Sequence, residues 1–448
     1  VELAQIFSAL GNTAFTLFFF VLALSVIVAI HEYGHYIVGR WSGIHAEVFS
    51  IGFGPIIGSR VDRHGTRWQI ALYPFGGYVK FLGDANAASV GTDDDAVVID
   101  PRRTMHGAPL WARTATVAAG PVFNFILAIA IFAGYIMYEG TPRDPLTFDK
   151  AHSIPAGAQD QFTHGLQKGD EIITIGGFPV RTEADEPSAI SQLPDVSRVT
   201  YGIRRDGNEI EVEGPYPIIP LVSSIQPRSA ADDAGLRVGD LVRAIDGNPV
   251  TAFHEIVAAK DAVGEGVMSL LILRGDEELT IEVAPRPVDI PNAEGQFETL
   301  YLIGVTGELF FDTATEPVGL WTALKQGSRQ LWWRITTSLN GLWQILSGAI
   351  SSCNISGPVG IAQASASMAS QGTDSFVLFI GMLSAAVGLL NLFPIPMLDG
   401  GHLVFYAYEA VARKKPSDRA LRILMGVGIM MIGSLMIFAI LNDLILCP

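Results

Sequence analysis

His31-Glu32-Tyr33-Gly34-His35 closes an apolar run, Phe15–Ile30 (FTLFFFVLALSVIVAI), that holds one Thr, one Ser and no charge. The pattern HExxH sets two imidazoles at i and i+4, on one face of a helix, with a carboxylate beside them. That spacing suits two zinc ligands and a general base for water. Three ionisable groups in a membrane helix are costly, so they must be paired, metal-bound or turned to a wet cavity. A histidine pair alone is more often surface or satisfied core than ligand, but that reading leaves the burial cost here unexplained.

The remaining ligand comes from the other end of the chain. Asn391-Leu392-Phe393-Pro394-Ile395-Pro396-Met397-Leu398-Asp399-Gly400-Gly401-His402 follows a second apolar run, Phe376–Leu390. Two prolines two residues apart cannot both sit in a regular helix, so the backbone is expected to unwind there. Non-helical backbone at membrane depth is tolerated where it is buried in protein or lines a cavity. Asp399, just beyond the break, can turn a carboxylate toward His31 and His35, which completes a catalytic zinc set with an open position. Taken alone, the segment also reads as a Pro-rich kink with a capping Asp. The two motifs together point to hydrolysis of a peptide bond within the membrane.

These motifs resemble the site-2 protease family of intramembrane zinc proteases. Further points of likeness are Phe49-Ser50-Ile51-Gly52-Phe53-Gly54-Pro55, Tyr73-Pro74-Phe75-Gly76-Gly77-Tyr78-Val79-Lys80 and Ala118-Ala119-Gly120-Pro121 leading to Asn124. The resemblance covers nearly the whole chain. It implies a bacterial inner-membrane enzyme of stress signalling. Its substrates would be single-span membrane proteins, such as an anti-sigma factor already cut outside or remnant signal peptides. It also implies that the GGYVK segment is a membrane-associated β-loop near the active site. Some relatives carry another Asn five residues before Asn391, where this chain has Ala386.

Composition sets the frame. The chain has 448 residues, is 49% hydrophobic and has mean hydropathy +0.36, too apolar for an ordinary soluble protein and too charged to be membrane throughout. Apolar runs at about 14–38, 115–138, 374–395 and 423–446 each approach the roughly 20 residues that span a bilayer. The first lacks a basic flank and a small-residue cleavage site, so it reads as a retained helix. Cys353 and Cys447 give no disulfide framework and no CxxC site, and read as plain apolar or interface residues. Charge sorts the compartments. Residues 40–114 carry eight Lys/Arg, and Arg413, Lys414, Lys415, Arg419 and Arg422 cluster in ten residues. Residues 139–316 hold 13 Lys/Arg against 31 Asp/Glu, a net of −18 beside −16 for the whole chain. The positive-inside rule puts the basic loops in the cytoplasm. Four spans then leave both termini and the acidic middle in the periplasm, with the active site toward the cytoplasmic side.

The expected fold is a multi-pass α-helical membrane protein with a membrane-associated β-hairpin region and two tandem PDZ-like α+β domains. Its parts run as follows: residues 1–39, a first transmembrane helix; 40–114, a cytoplasmic β-hairpin loop; 115–140, a second helix; 144–217 and 218–290, the PDZ-like units; 315–370, an interfacial amphipathic segment with four tryptophans; 374–410, a third helix; and 421–446, a fourth. Residues 84–108 are polar, poorly patterned and expected to be mobile. The paired units rest on an internal repeat: Gly165–Val180 recurs as Gly235–Val250, identical at eight of sixteen positions. A PDZ groove takes an extended peptide by strand addition. The units can act as a size filter for trimmed substrates, or as plain β-rich spacers.

The expected site is zinc on His31, His35 and Asp399, with Glu32 as general base. Asn391 and Pro394 lie on the unwound turn near substrate, and Gly77 and Tyr78 on a β-edge that meets it, although a purely structural hairpin fits them as well. Asn124 is expected at the substrate site, or as a hydrogen bond across helices. Partners are the substrates, the lipid bilayer and peptide tails at the PDZ grooves, with no nucleic acid. The rival classes are a metal-linked transporter, which needs no β-edge, and a non-catalytic PDZ scaffold, which needs no Glu32.

Overall fold

Among the described residues, four helices are long and apolar enough to cross a membrane: Thr13–Trp41, Leu110–Glu139, Thr373–Asn391 and Arg419–Leu446. They coincide with the four apolar runs of the sequence. The computed structural model describes residues 2–83, 100–180, 182, 185–291 and 297–446. Most of the stretch expected to be mobile, and Cys447, lie outside these. The chain divides into two compact units, one of Val1–Tyr135, Leu320–Gly348 and Ile355–Pro448, the other of Ile136–Gly319 and Ala349–Asn354.

The first unit begins with α1 (Glu2–Trp41). It ends where Gly43 takes φ +86. There the Ile44 amide donates to the Gly39 carbonyl at 2.9 Å and the Gly43 amide to that of Arg40 at 3.1 Å, satisfying the last open carbonyls. Two long strands follow, β1 (Ala46–Val61) and β2 (Arg67–Phe81). Both bend, so that Val48–Ile51 lies between Arg67–Ile70 on one side and Gly77–Lys80 on the other. Gly52 makes the bend in β1 at φ +90, pressed so near the Ala71 carbonyl oxygen that a methyl would sit 2.8 Å from it. Gly77–Phe81 is left as an outer edge, beside α1.

α2 (Leu110–Glu139) carries Pro121 in its interior, which removes one helical hydrogen bond. The stretch expected as one interfacial segment is two helices. α3 (Leu320–Leu346) crosses α2 at Gly327, and its Trp321, Trp332, Trp333 and Trp343 are all exposed. α4 (Pro358–Gln371) instead packs along α1. Its start is held by Asp443, which accepts from the Gly357 and Gly360 amides at 2.9 Å each. α5 (Thr373–Asn391) stops at the prolines, as chain chemistry requires. After a non-helical turn over residues 392–398, α6 (Asp399–Ala412) begins. α7 (Asp418–Leu441), capped by Ser417, packs its Gly428 against the Pro396 backbone.

The second unit explains the repeat. Its first sheet orders Phe178–Pro179, Glu171–Ile175, Arg198–Arg205 and Asn208–Pro215. Its second orders Asn248–Pro249, Leu241–Ile245, Met268–Arg274 and Glu277–Val283. The two orders are the same; one apolar core lies on the first sheet and takes in Leu241 and Leu273 of the second, and a further core lies on the second sheet. Each Gly-Asp turn also has the same clasp. Asp170 and Asp240, both 1% exposed, receive two hydrogen bonds from Arg205 (2.8 and 2.6 Å) and Arg274 (2.8 and 2.7 Å). Each also accepts a backbone amide at 2.7 Å, from Gln167 and Arg237 respectively. A run joins the two, most of it unassigned from sequence and its last strand falling at the start of the expected 315–370 segment. Val305–Thr306 pairs with Ser224–Ile225, Phe311–Thr313 with Phe148–Ala151, and Thr315–Glu316 with Thr141–Pro142. Cys353 is disulfide-bonded, where the sequence reading expected a plain apolar or interface residue.

Candidate metal centre

The two HExxH histidines stand one helical turn apart on α1, their rings edge to face with centroids 4.8 Å apart. Their Nε2 atoms face each other at 3.2 Å. Asp399, the first residue of α6, closes the triangle, with Oδ2 3.2 Å from His31 Nε2 and Oδ1 3.5 Å from His35 Nε2. One donor atom from each of the three lies within 4.8 Å of the others, the one such metal-ligand group among the described residues.

Small residues make this convergence possible. A methyl on Gly34 would come within 2.5 Å of the Ala119 carbonyl oxygen, and one on Gly120 would overlap His35 Nε2 and His31 Cε1. α1 and α2 therefore touch backbone to backbone, and both imidazoles lie against α2. On the other side, a methyl on Gly400 or Gly401 would strike the carbonyl oxygens of Leu392, Phe393 or Ile395. The Asp-Gly-Gly sequence lets the unwound turn fold back on the helix start and aim Asp399 inward.

Hydrogen bonding fixes one imidazole outright. His35 Nδ1 lies 2.8 Å from the Thr116 carbonyl oxygen. A carbonyl only accepts, so Nδ1 carries hydrogen and neutral His35 turns the Nε2 lone pair to the cluster. Among the described residues, buried Asp399 Oδ2 has no hydrogen-bond partner of acceptable geometry, although His31 Nε2 is close by. Inward-facing imidazole nitrogens beside a carboxylate repel one another unless a cation lies among them. Two nitrogens and one oxygen with room for a further ligand are a catalytic zinc set, and the residues present fit zinc.

Beside the cluster is a cavity of about 740 Å³ lined by Glu32, Gly77, Tyr78, Asn391 and the three ligand-type residues. Gly77 has no room for a side chain: a methyl there would meet the Ser50 carbonyl oxygen at 2.8 Å and Glu32 Cγ at 3.1 Å. The edge segment thus lies directly on the HExxH helix, and the Val79 amide donates to the Glu32 carboxylate. Tyr78 is steadied by Gln69, whose amide donates to its hydroxyl at 3.2 Å, and by stacking on Phe53.

Not every expected residue arrives. Pro394 is exposed and absent from the cavity wall. Asn124 is absent from the cavity wall and instead makes the hydrogen bond across helices that was its other expected role: it is 0% exposed, with its amide nitrogen 3.1 Å from His31 Nδ1. It sits on the face of α2 turned to α1, a face that one helix's sequence does not disclose. Other contributors were missed. The Thr116 carbonyl is backbone and leaves no mark in sequence. Arg113 pairs in bidentate fashion with Glu409 at 2.9 and 2.7 Å, tying the start of α2 to α6 across 296 residues of chain. His402 also lines the cavity. Its place in Asp-Gly-Gly-His, one turn beyond Asp399, was the available signal.

A centre of this kind at the ends of membrane-length helices defines the intramembrane zinc metalloproteases, and this chain is one of them, of site-2 type with zinc as cofactor. It belongs to peptidase family M50, whose profile matches residues 19–435. A Rhizobium meliloti protein named "Putative zinc metalloprotease" is 34% identical over 439 residues, 97% of this chain and 98% of that one. One of the same name from Brucella suis is 33% identical over 453 residues, 99% of each. The regulator of sigma-E protease RseP of Salmonella typhimurium is 31% identical over 455 residues, 95% of this chain and 97% of that one. A solved PDZ domain of an SdrC-like protein from Listeria monocytogenes is 21% identical, covers 20% of this chain and 86% of that one, and has a TM-score of 0.16.

Proposed function

We propose that the enzyme cleaves single-span membrane proteins, of the anti-sigma-factor or remnant-signal-peptide kind, after their ectodomains have been trimmed. The observation that carries this is the outer strand edge Gly77–Phe81, whose Gly77, Tyr78, Val79 and Phe81 line the same cavity as Glu32 and the His31–His35–Asp399 cluster. A helical substrate keeps its carbonyls bonded along its own axis. A strand edge offers backbone partners to a segment that has unwound.

In this reading His31 and His35, through Nε2, and Asp399 would hold the zinc. Zinc, when bound, supplies Lewis acidity for the scissile carbonyl and lowers the pKa of water toward 7. Glu32 takes the proton from the attacking water and later gives it to the leaving amine. Gly77 and Tyr78 pair with substrate backbone. The Asn391 amide, on the last turn of α5, holds the substrate chain or the charge growing on its carbonyl oxygen.

The two sheets of the second unit serve as PDZ-like modules at 144–217 and 218–290, with strands added by 305–316. They exclude bulky ectodomains, and their grooves receive peptide tails. The enzyme lies in a bacterial inner membrane with these modules and both termini in the periplasm. The basic loops support that side, and so does the disulfide at Cys353, since such bonds persist outside the cytosol. The exposed tryptophans of α3, and Ile56, Ile57 and Tyr73 of the β-hairpin, fit contact with lipid.

The test is cleavage of a detergent-solubilised single-span substrate with a truncated ectodomain by wild type, Glu32→Gln and chelator-treated enzyme. Cleavage by wild type alone, falling when a folded ectodomain is restored, is the expected result. Equal cleavage of trimmed and untrimmed forms removes the size filter. Cleavage by Glu32→Gln removes the general base.

A further inference from the structure

We infer that Asn124 is a positioning residue for the metal centre, which acts by accepting a hydrogen bond from His31 Nδ1–H through its side-chain oxygen. The inference rests on the zinc reading above and assigns the residue a place within it.

His31 and His35 present the same atom, Nε2, to the cluster. For a neutral imidazole to offer Nε2 as a lone pair, its hydrogen must sit on Nδ1, and something must accept it. For His35 the Thr116 carbonyl does so at 2.8 Å. The one hydrogen-bond partner of His31 Nδ1 among the described residues is the Asn124 amide at 3.1 Å. With Nδ2 on Nδ1, two N–H groups would confront each other once Nε2 is engaged. The side-chain oxygen of Asn124 is buried and has no hydrogen-bond partner among the described residues. A half-turn of the amide brings it onto Nδ1 and breaks no other hydrogen bond of that side chain. The two ligands then have matching supports from one helix, a backbone carbonyl at Thr116 and a side-chain carbonyl at Asn124, eight residues apart and so just over two turns along α2.

The surroundings hold Asn124 rigidly. The residue is 0% exposed, and its own carbonyl accepts from the Ser384 hydroxyl of α5 at 2.9 Å. A methyl on Gly388 of α5 would meet Asn124 Cβ at 3.1 Å. The side chain thus has little freedom except rotation of its amide plane. A buried, fixed acceptor selects one tautomer of His31 and keeps its ring aimed, which is how supporting partners tune metal sites.

The test measures zinc affinity by chelator competition for full-length wild type, Asn124→Asp and Asn124→Leu, with the thermal midpoint of each metal-free protein recorded in parallel. Aspartate also accepts and leucine does not. Affinity is expected to fall about 10–100-fold in Asn124→Leu and to stay within a few-fold of wild type in Asn124→Asp. An unchanged affinity in Asn124→Leu, or an equal loss in both, overturns the inference. Should Asn124→Leu fail to fold, ¹⁵N shifts of the His31 ring in zinc-loaded wild type decide. A protonated Nδ1 is expected, and a bare Nδ1 overturns it. Failure of wild type to hold zinc would instead sink the metal reading itself.

Discussion

Two regions of this molecule bury an aspartate, and they treat it in opposite ways. In the repeat, Asp170 and Asp240 each meet an arginine fork and a backbone amide, with both carboxylate oxygens occupied. At the start of α6, Asp399 meets two histidine nitrogens and, among the described residues, keeps an oxygen without a hydrogen bond. The first arrangement is closed and accounts for itself as structure. The second has acceptors in excess of donors, a donor set that suits a cation. Burial and charge are common to both, so neither marks function by itself. The count of donors against acceptors does.

That contrast is open to attack, the largest effects coming first. Glu32→Gln should lower cleavage by about 10²–10⁴-fold, the usual range for a general base, while zinc measured by metal analysis stays stoichiometric. Loss of zinc along with activity would move Glu32 from chemistry into the ligand set. Asp399→Asn should weaken zinc in chelator competition by more than the roughly 100-fold attributed to a mere supporting partner. If it behaves like the closed aspartates and costs only stability, the contrast fails. Gly120→Ala, which changes no charge, should also reduce zinc affinity, because its methyl overlaps both ligand rings. Retained affinity would mean that α2 yields easily.

The opposite expectation holds for Arg274→Ala. Removing one partner of a buried pair costs about 3–5 kcal/mol, toward the lower end here because the Arg274 side chain is a quarter exposed. Hydrogen exchange should show it as opening of the Leu241–Val283 sheet, with zinc content unchanged. The smallest effect concerns Asp62 in the hairpin. Burial would raise its pKa, but hydrogen bonds from the Tyr36 hydroxyl, the His64 amide, the Trp68 indole and the Thr66 amide together hold it down to about 2. A lowered folded pKa gives stability that is present above the ordinary value near 4 and lost as pH falls toward 2. Exchange protection of Arg67–Phe81 should fall over that window in wild type and not in Asp62→Asn.

What could be read from residues alone follows from how each feature is encoded. HExxH and Leu-Asp-Gly are local spacings, so ligand-type residues stood out although 368 positions separate His31 from Asp399. The two sheets announced themselves by repetition. Asn124 was visible as a polar residue in an apolar helix, but its target depends on which face α2 turns to α1, and that is set by Gly34 and Gly120 together. Arg113 and Glu409 are ordinary charges until tertiary contact pairs them. The strands of 305–316 are two or three residues long, too short for a period-two pattern to register.

The side-chain-free seat of Gly77 on Glu32 has one further consequence. If substrate pairs with that edge, the bond presented for cutting is set by strand register, as a notch on a ruler. Side chains along a strand alternate faces, so a slip by one residue inverts every pocket contact, while a slip by two restores them. Alternative cuts in one substrate should therefore be spaced by even numbers of residues.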